Sequence, residues 1–140
     1  MNIQPTGKID KGWGFEVIWT NNEKYSGKML VFDRVGAKTS LVFHKEKYKS
    51  WFVNQGKFKL TFCDLQTGEI KETVLEEGRT VDLAELSPHR LEALAPNSII
   101  FEVGTTDYVE DRFRLSPGDT QTKAPETVNT EEQAQETQPE

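Results

Sequence analysis

Short apolar-rich runs recur about every ten residues along this chain, each closed by a turn signal, and this spacing limits the fold more than any other feature. Residues 14–20, 28–33, 40–44, 51–53, 57–62, 70–75, 81–83, 89–94 and 98–103 read as strands. The cleanest is Lys57-Phe58-Lys59-Leu60-Thr61-Phe62, where Phe58, Leu60 and Phe62 alternate with polar residues and share one face. Gln66-Thr67-Gly68-Glu69 follows as a hairpin signal, and Gln55-Gly56 and Glu76-Glu77-Gly78-Arg79 are further turns. Strands of this length and regularity predict an all-β sandwich or barrel. Residues 83–86 and 108–113 have the character of helical turns, but neither stretch is long.

With 140 residues the chain is one domain, large enough to bury a core without disulfides or a structural metal. Its charge of −6 is unevenly spread. Residues 117–140 hold six acids and one base, Lys123, so the remaining 116 residues carry only −1. Pro, Gly, Thr, Gln and Glu dominate from about Ser116, and Val128 is the only large aliphatic residue beyond Leu115. Such a segment buries too little apolar surface to offset its ordering entropy. The expected organisation is an N-terminal arm over residues 1–11, a barrel over 12–115, and a disordered acidic tail over 116–140.

A nearly neutral body with an acidic tail argues against nucleic acid or an anionic membrane surface as partner. No run approaches the roughly 20 apolar residues of a membrane span, and no signal-like apolar segment follows Met1. The lone Cys63 cannot form an intramolecular disulfide and reads as a small buried hydrophobe. These features predict a soluble, cytoplasmic protein.

Candidate chemistry centres on the two histidines, His44 and His89. If the strand carrying His44 runs on, Glu46 projects to the same face, and one ion would be within reach of both. Two imidazoles and a carboxylate suffice for a divalent transition metal when the open positions hold water or substrate. On the same assumption Lys45, Lys47 and Lys49 share the opposite face; an inward Lys49 ammonium would instead oppose a cation. The alternative is that both histidines are hydrogen-bonded barrel residues and Glu46 pairs with a lysine.

Several segments, taken in order, resemble the cupins. Gly12-Trp13-Gly14-Phe15-Glu16-Val17 is similar to the Trp-Gly that opens the domain. Leu41-Val42-Phe43-His44, followed by Trp51-Phe52-Val53-Asn54-Gln55-Gly56, resembles the first cupin motif. Gly78 and Pro88-His89-Arg90-Leu91-Glu92 resemble the second, and Val109-Glu110-Asp111-Arg112-Phe113 resembles an acidic segment after the last strand. The likeness covers residues 12–114 and is strongest to small cupins related to the C-terminal domain of type II mannose-6-phosphate isomerases. It implies a double-stranded β-helix (jelly-roll) barrel, with His44 and His89 brought to one metal. The other first-motif histidine positions hold Lys45 and Glu46, the family's glutamate falls at Lys49 or Ser50, and a glutamine position is matched by Val42.

The resemblance further implies a metal site of His44, Glu46 and His89 holding at most one Zn, Mn, Fe or Ni ion. It implies isomerase-like chemistry on a sugar phosphate, with Glu46 as the catalytic base if it is not a ligand and Lys49 and Arg90 as cationic contacts. Trp51, with Phe43, Phe58, Phe62 and Phe101, would line the ligand cavity. Arg90 alternatively forms a surface ion pair with Glu92, and Trp13, Trp19 and Trp51 alternatively serve as core. The competing functional reading is a metal-free, non-catalytic ligand-binding or structural cupin, paired as a homodimer through its sheets, to which residues 2–9 could add an edge strand.

Overall fold

The computed structural model describes Met1, Ile3 and residues 7–119. Eleven strands and one 3-10 turn make up the described chain. The strands are β1 (Gly7–Lys11), β2 (Gly14–Asn21), β3 (Ser26–Phe32), β4 (Leu41–Phe43), β5 (Lys49–Gln55), β6 (Lys57–Cys63), β7 (Ile70–Glu76), β8 (Thr80–Leu83), β9 (His89–Ala93), β10 (Ser98–Gly104) and β11 (Phe113–Ser116). The 3-10 turn is Val109–Asp111. Two sheets form, β1-β2-β3-β10-β5-β8 and β11-β4-β9-β6-β7, with neighbours antiparallel throughout. This is the cupin-type jelly-roll barrel, an all-β fold.

The core lies between the sheets, where Phe32 stacks on Trp13 at 4.5 Å and meets Phe58 edge-on at 5.0 Å. Alternation explains both what fills the barrel and why it changes character along its length. The inward row of β3 reads Phe32, Leu30, Lys28, and that of β10 reads Ile100, Glu102. The corresponding rows are Val53, Trp51, Lys49 in β5 and Ala93, Leu91, His89 in β9. Register sets Lys28 beside Glu102 and Glu102 beside Trp51. One end of the barrel is therefore dry and apolar, while the other gathers charged groups and imidazole.

At Gly14 the φ of 149° and the Val31 carbonyl, against which any Cβ would collide, explain the glycine after Trp13. Trp13 and Trp51 are core residues, whereas Trp19 and Phe101 face outward and are 47% and 37% exposed. Phe43, rather than lining the interior, stacks on Phe113 at 5.1 Å. Cys63 is half-buried rather than buried, because it ends β6 at the rim.

Part of the arm joins the protein's own sheet, since β1 pairs with β2. Residues 108–113 hold the short 3-10 turn and then enter β11, while Leu83 ends β8 and Leu86 takes a positive φ of 64° instead of opening a helical turn. The first residues assigned to the tail pack on the body: the amide of Asp119 donates to the Lys38 carbonyl and its carboxylate accepts from the Lys38 amide, at 2.8 and 2.9 Å. The expected disorder beyond Asp119 lies outside the described residues. Among the described residues no helix is long and apolar enough to cross a membrane.

Candidate functional site

The polar end of the barrel encloses a cavity of about 40 Å³, bordered by His44, Lys47, Lys49, Trp51, His89 and Glu102, with Glu16, Lys28 and Arg112 behind them. That volume admits about two or three waters or one small ligand.

Both histidines are buried, and each is oriented by a backbone carbonyl. His44 follows directly on β4, and its Nδ1 lies 2.8 Å from the Asp111 carbonyl oxygen. His89 opens β9, with Nδ1 2.8 Å from the Ser87 carbonyl. A carbonyl only accepts, so each Nδ1 is the protonated nitrogen and each Nε2 turns a lone pair inward. The rings stand 5.9 Å apart between centroids. Nε2 of His44 faces the Lys49 ammonium at 3.4 Å, and Nε2 of His89 is buried with no hydrogen-bond partner among the described residues. Burial, reinforced by Lys49, pushes the His44 pKa down to about 4 and holds that of His89 well below its usual value.

Glu102 is the hub of the charge network. Its carboxylate accepts from the Trp51 indole at 2.8 Å and from Lys47 at 2.9 Å, with Lys49 at 3.5 Å and Lys28 at 3.9 Å. Burial alone would raise its pKa, but Lys49, Lys28 and Lys47 outweigh burial and hold it well below the carboxylate range. Lys28 also lies 3.4 Å from both Glu16 and Asp107, and Arg112 grips Asp107 at 2.6 Å. For Asp107 burial is likewise overcome, by Lys28 and Arg112, and its carboxyl is held low. Lys28 is pushed down by burial and up by Glu102 and Glu16, and the carboxylates win. Lys49 is the exception: burial outweighs Glu102 and, helped by Lys47 and Lys28, brings its pKa down to about 8. Five cations (Lys11, Lys28, Lys47, Lys49, Arg112) thus share three carboxylates (Glu16, Glu102, Asp107) at this end of the barrel.

The structure brings His44, His89, Lys49 and Trp51 together and leaves Glu46 and Arg90 out. Glu46 does not continue the face of His44, because the strand ends at Phe43 and the chain turns. The Asp111 carboxylate holds this turn by accepting the amides of Lys45, Glu46 and Lys47 at 2.8, 3.2 and 3.0 Å. The Glu46 side chain is exposed and borders a separate open cleft with Glu23, Lys24, Thr105, Thr106, Tyr108 and Glu110. The same turn swings Lys47 and Lys49 inward, while Lys45 stays outside over the Phe113 ring at 4.8 Å. Arg90 donates to the carbonyls of Thr39 and Pro117 at 2.9 and 2.7 Å, so it fastens the end of the chain body instead of meeting a ligand or Glu92. Glu92 pairs with Lys59.

Lys28, Glu16, Glu102, Asp107 and Arg112 belong to the site without being among the candidate residues that the sequence motifs point to. Their signal was positional: Glu102 falls on the inward register of Ser98 and Ile100, and Lys28 on that of Leu30 and Phe32.

A divalent metal does not fit this donor set. The two Nε2 lone pairs suit one, but the Lys49 ammonium stands against that of His44 and Glu102 is engaged by Trp51 and Lys47. Among the described residues no group of three or more His, Cys, Asp or Glu side chains is arranged to hold an ion.

No family model matches the sequence, and none of the curated proteins does. Solved structures share the fold. Oxalate decarboxylase from Bacillus subtilis superposes with a TM-score of 0.68 at 19% identity, over 79% of this chain and 30% of that one. A formate complex of oxalate decarboxylase from Lactobacillus farciminis gives 0.69 at 19%, over 79% and 34%. KdgF from Halomonas sp. gives 0.57 at 21%, over 69% and 81%. The chain spans about a third of the length of these decarboxylases, and at such identities the likeness establishes the cupin fold alone.

Proposed function

We propose that this chain is a cupin-fold binding domain that takes a small oxyanion beside Lys49 without a resident metal. The carrying observation is the Lys49 ammonium itself, buried in a cluster of five cations (with Lys11, Lys28, Lys47 and Arg112) that shares three carboxylates. An uncompensated charge away from water is costly, and an anion in the cavity offsets it. Three or four heavy atoms fill a cavity of about 40 Å³, whereas a sugar phosphate needs several hundred. A formate-sized carboxylate fits; bicarbonate would in addition donate its hydroxyl to the unpartnered Nε2 of His89. Formate is held by the decarboxylase of Lactobacillus farciminis, and Mn(II) by that of Bacillus subtilis. Support for the anion comes from the charge balance here, and the donor set speaks against the metal. Isomerisation of a sugar phosphate lacks support, since Glu46, its candidate base, is outside the cavity.

Thermal shift with formate, bicarbonate, chloride and mannose 6-phosphate tests this reading. Small anions should raise the melting temperature of wild type and of Glu46→Ala but not of Lys49→Met. Turnover of mannose 6-phosphate, or no response to any small anion, would overturn it.

The outer face of the six-stranded sheet favours a homodimer as a second feature of the function. Val17, Met29, Phe101 and Phe52 lie in one cross-strand row, and Trp19, Phe52, Phe101 and Val103 are exposed there. A second copy is the proposed occupant. A two-fold axis along the strands between β3 and β10 sets the β1 edge, bearing exposed Lys8, over the partner's β8 edge, bearing Asp82. Sedimentation should give a dimer that Phe101→Glu dissociates; a monomeric wild type would sink the idea.

A further inference from the structure

We infer that Lys49 is a built-in cation that replaces a divalent metal ion, and that a metal site is latent beneath it. The inference rests on the metal-free reading above and extends it to the cause.

Three observations carry it. First, both imidazoles are prepared as ligands: each Nδ1–H is pinned by a carbonyl, of Asp111 or Ser87, which fixes the tautomer and aims Nε2 at the cavity. That is the outer-shell arrangement metal-binding histidines require. Second, the His44 lone pair accepts from a cation, the Lys49 ammonium at 3.4 Å, and that of His89 has no hydrogen-bond partner among the described residues, so hydrogen bonding accounts for only one of the two prepared nitrogens. Third, the ammonium lies 3.5 Å from Glu102 and 5.0 Å from the centre of the Trp51 ring, so one cation is seated among an imidazole, a carboxylate and an indole face. A metal would approach nitrogen and oxygen at about 2.0–2.2 Å, closer than an ammonium can. With Lys49 in place, such an ion would stand against a like charge.

Exchanging the lysine for a ligand should therefore uncover the site. Lys49→Glu turns five cations and three carboxylates into four and four, cancelling the excess positive charge and setting a new carboxylate beside the two imidazoles. Metal content by mass spectrometry and the visible absorption of added Co(II) are the readouts. Wild type should retain no ion after dialysis, and Lys49→Glu about one per chain, with affinity raised by about 100-fold or more. Adding His89→Ala should reverse the gain. Lys49→His, which places no new charge in the cavity, makes the same prediction should the glutamate variant fail to fold. Folded Lys49→Glu and Lys49→His proteins that bind no Co(II) would overturn the latent site while leaving the anion reading intact. Stoichiometric metal in wild type would overturn both.

Discussion

Trp51 and Glu102 sit opposite each other on β5 and β10, and the indole N–H donates to the carboxylate at 2.8 Å. This bond ties the last apolar layer of the barrel to its first charged one. Glu102 then balances Lys47, Lys49 and Lys28 from one point. Removing its charge takes from Lys49 its carboxylate and leaves Lys47 and Lys28 to Asp107 and Glu16. Glu102→Gln should cost about 3–5 kcal/mol, the range for breaking a buried ion pair, and Trp51→Phe about 1.5–3, both read by denaturant unfolding. A change below about 1 kcal/mol for Glu102→Gln would mean that water already neutralises the cluster.

Acid should weaken the fold above the range where carboxylates titrate. His44 has a folded pKa of about 4 against 6.5 unfolded, and His89 shifts in the same direction. The unfolded chain therefore binds more protons between these values, and stability rises with pH across that window. The histidine contribution is complete above pH 6.5 and is lost as pH falls through 4. For His44 it is on the order of 2–3 kcal/mol. His44→Gln should flatten the dependence of melting temperature on pH between 6.5 and 4; an unchanged slope would deny that burial holds this imidazole neutral.

Gly14 should tolerate no side chain. Its positive φ and the Val31 carbonyl both oppose a Cβ, and Trp13 beside it stacks on Phe32 in the core. Gly14→Ala should destabilise by about 2 kcal/mol or more. Gly36→Ala, at a φ of 87° with open space around it, meets a backbone penalty without a clash and should cost less than Gly14→Ala.

Arg90 should act on the chain end and not on the cavity. Its bonds to the Thr39 and Pro117 carbonyls hold β9 to the segment after β11. Arg90→Ala should cost about 1–2 kcal/mol and speed amide exchange at Lys38 and Asp119, with anion response unchanged. Loss of that response would return Arg90 to the site.

What the sequence revealed, and what it hid, follows from where each structural cause lies. Residues 57–62 alternate cleanly because one face of β6 meets the core and the other does not, so that strand was legible locally. Edge strands β1 and β11 were not, because Gly7-Lys8-Ile9-Asp10-Lys11 carries almost no apolar pattern and is held by backbone pairing. His44 and His89 were joined through the family resemblance, since no local rule relates residues on different strands. Glu46 was misplaced because alternation presumes an unbroken strand. The residue that bends this one, Asp111, comes 65 positions later. Lys28 and Glu102 were passed over because a charge in a strand is usually read as solvent-facing, and their inward register appears only once the strands are aligned.

Asp111 links two effects that a single substitution tests together. Its carboxylate accepts three consecutive backbone amides, of Lys45, Glu46 and Lys47, and so shapes the turn that delivers Lys47 and Lys49 to the cavity. Its own carbonyl oxygen orients the His44 ring. Asp111→Ala removes the first interaction and keeps the group that makes the second, but frees that segment to move. Stability should fall by about 2–4 kcal/mol, as one buried and two partly buried donors lose a charged acceptor. The His44 pKa should climb from about 4 toward 6.5 as the imidazole gains water and its distance from Lys49 grows. Proton-detected nitrogen spectra of the imidazole across a pH titration would follow both its tautomer and its pKa. Asp111→Asn, which keeps one acceptor oxygen, should fall between the two. A His44 titration unaltered in both variants would show that the barrel wall, and not this turn, sets the electrostatics of the site.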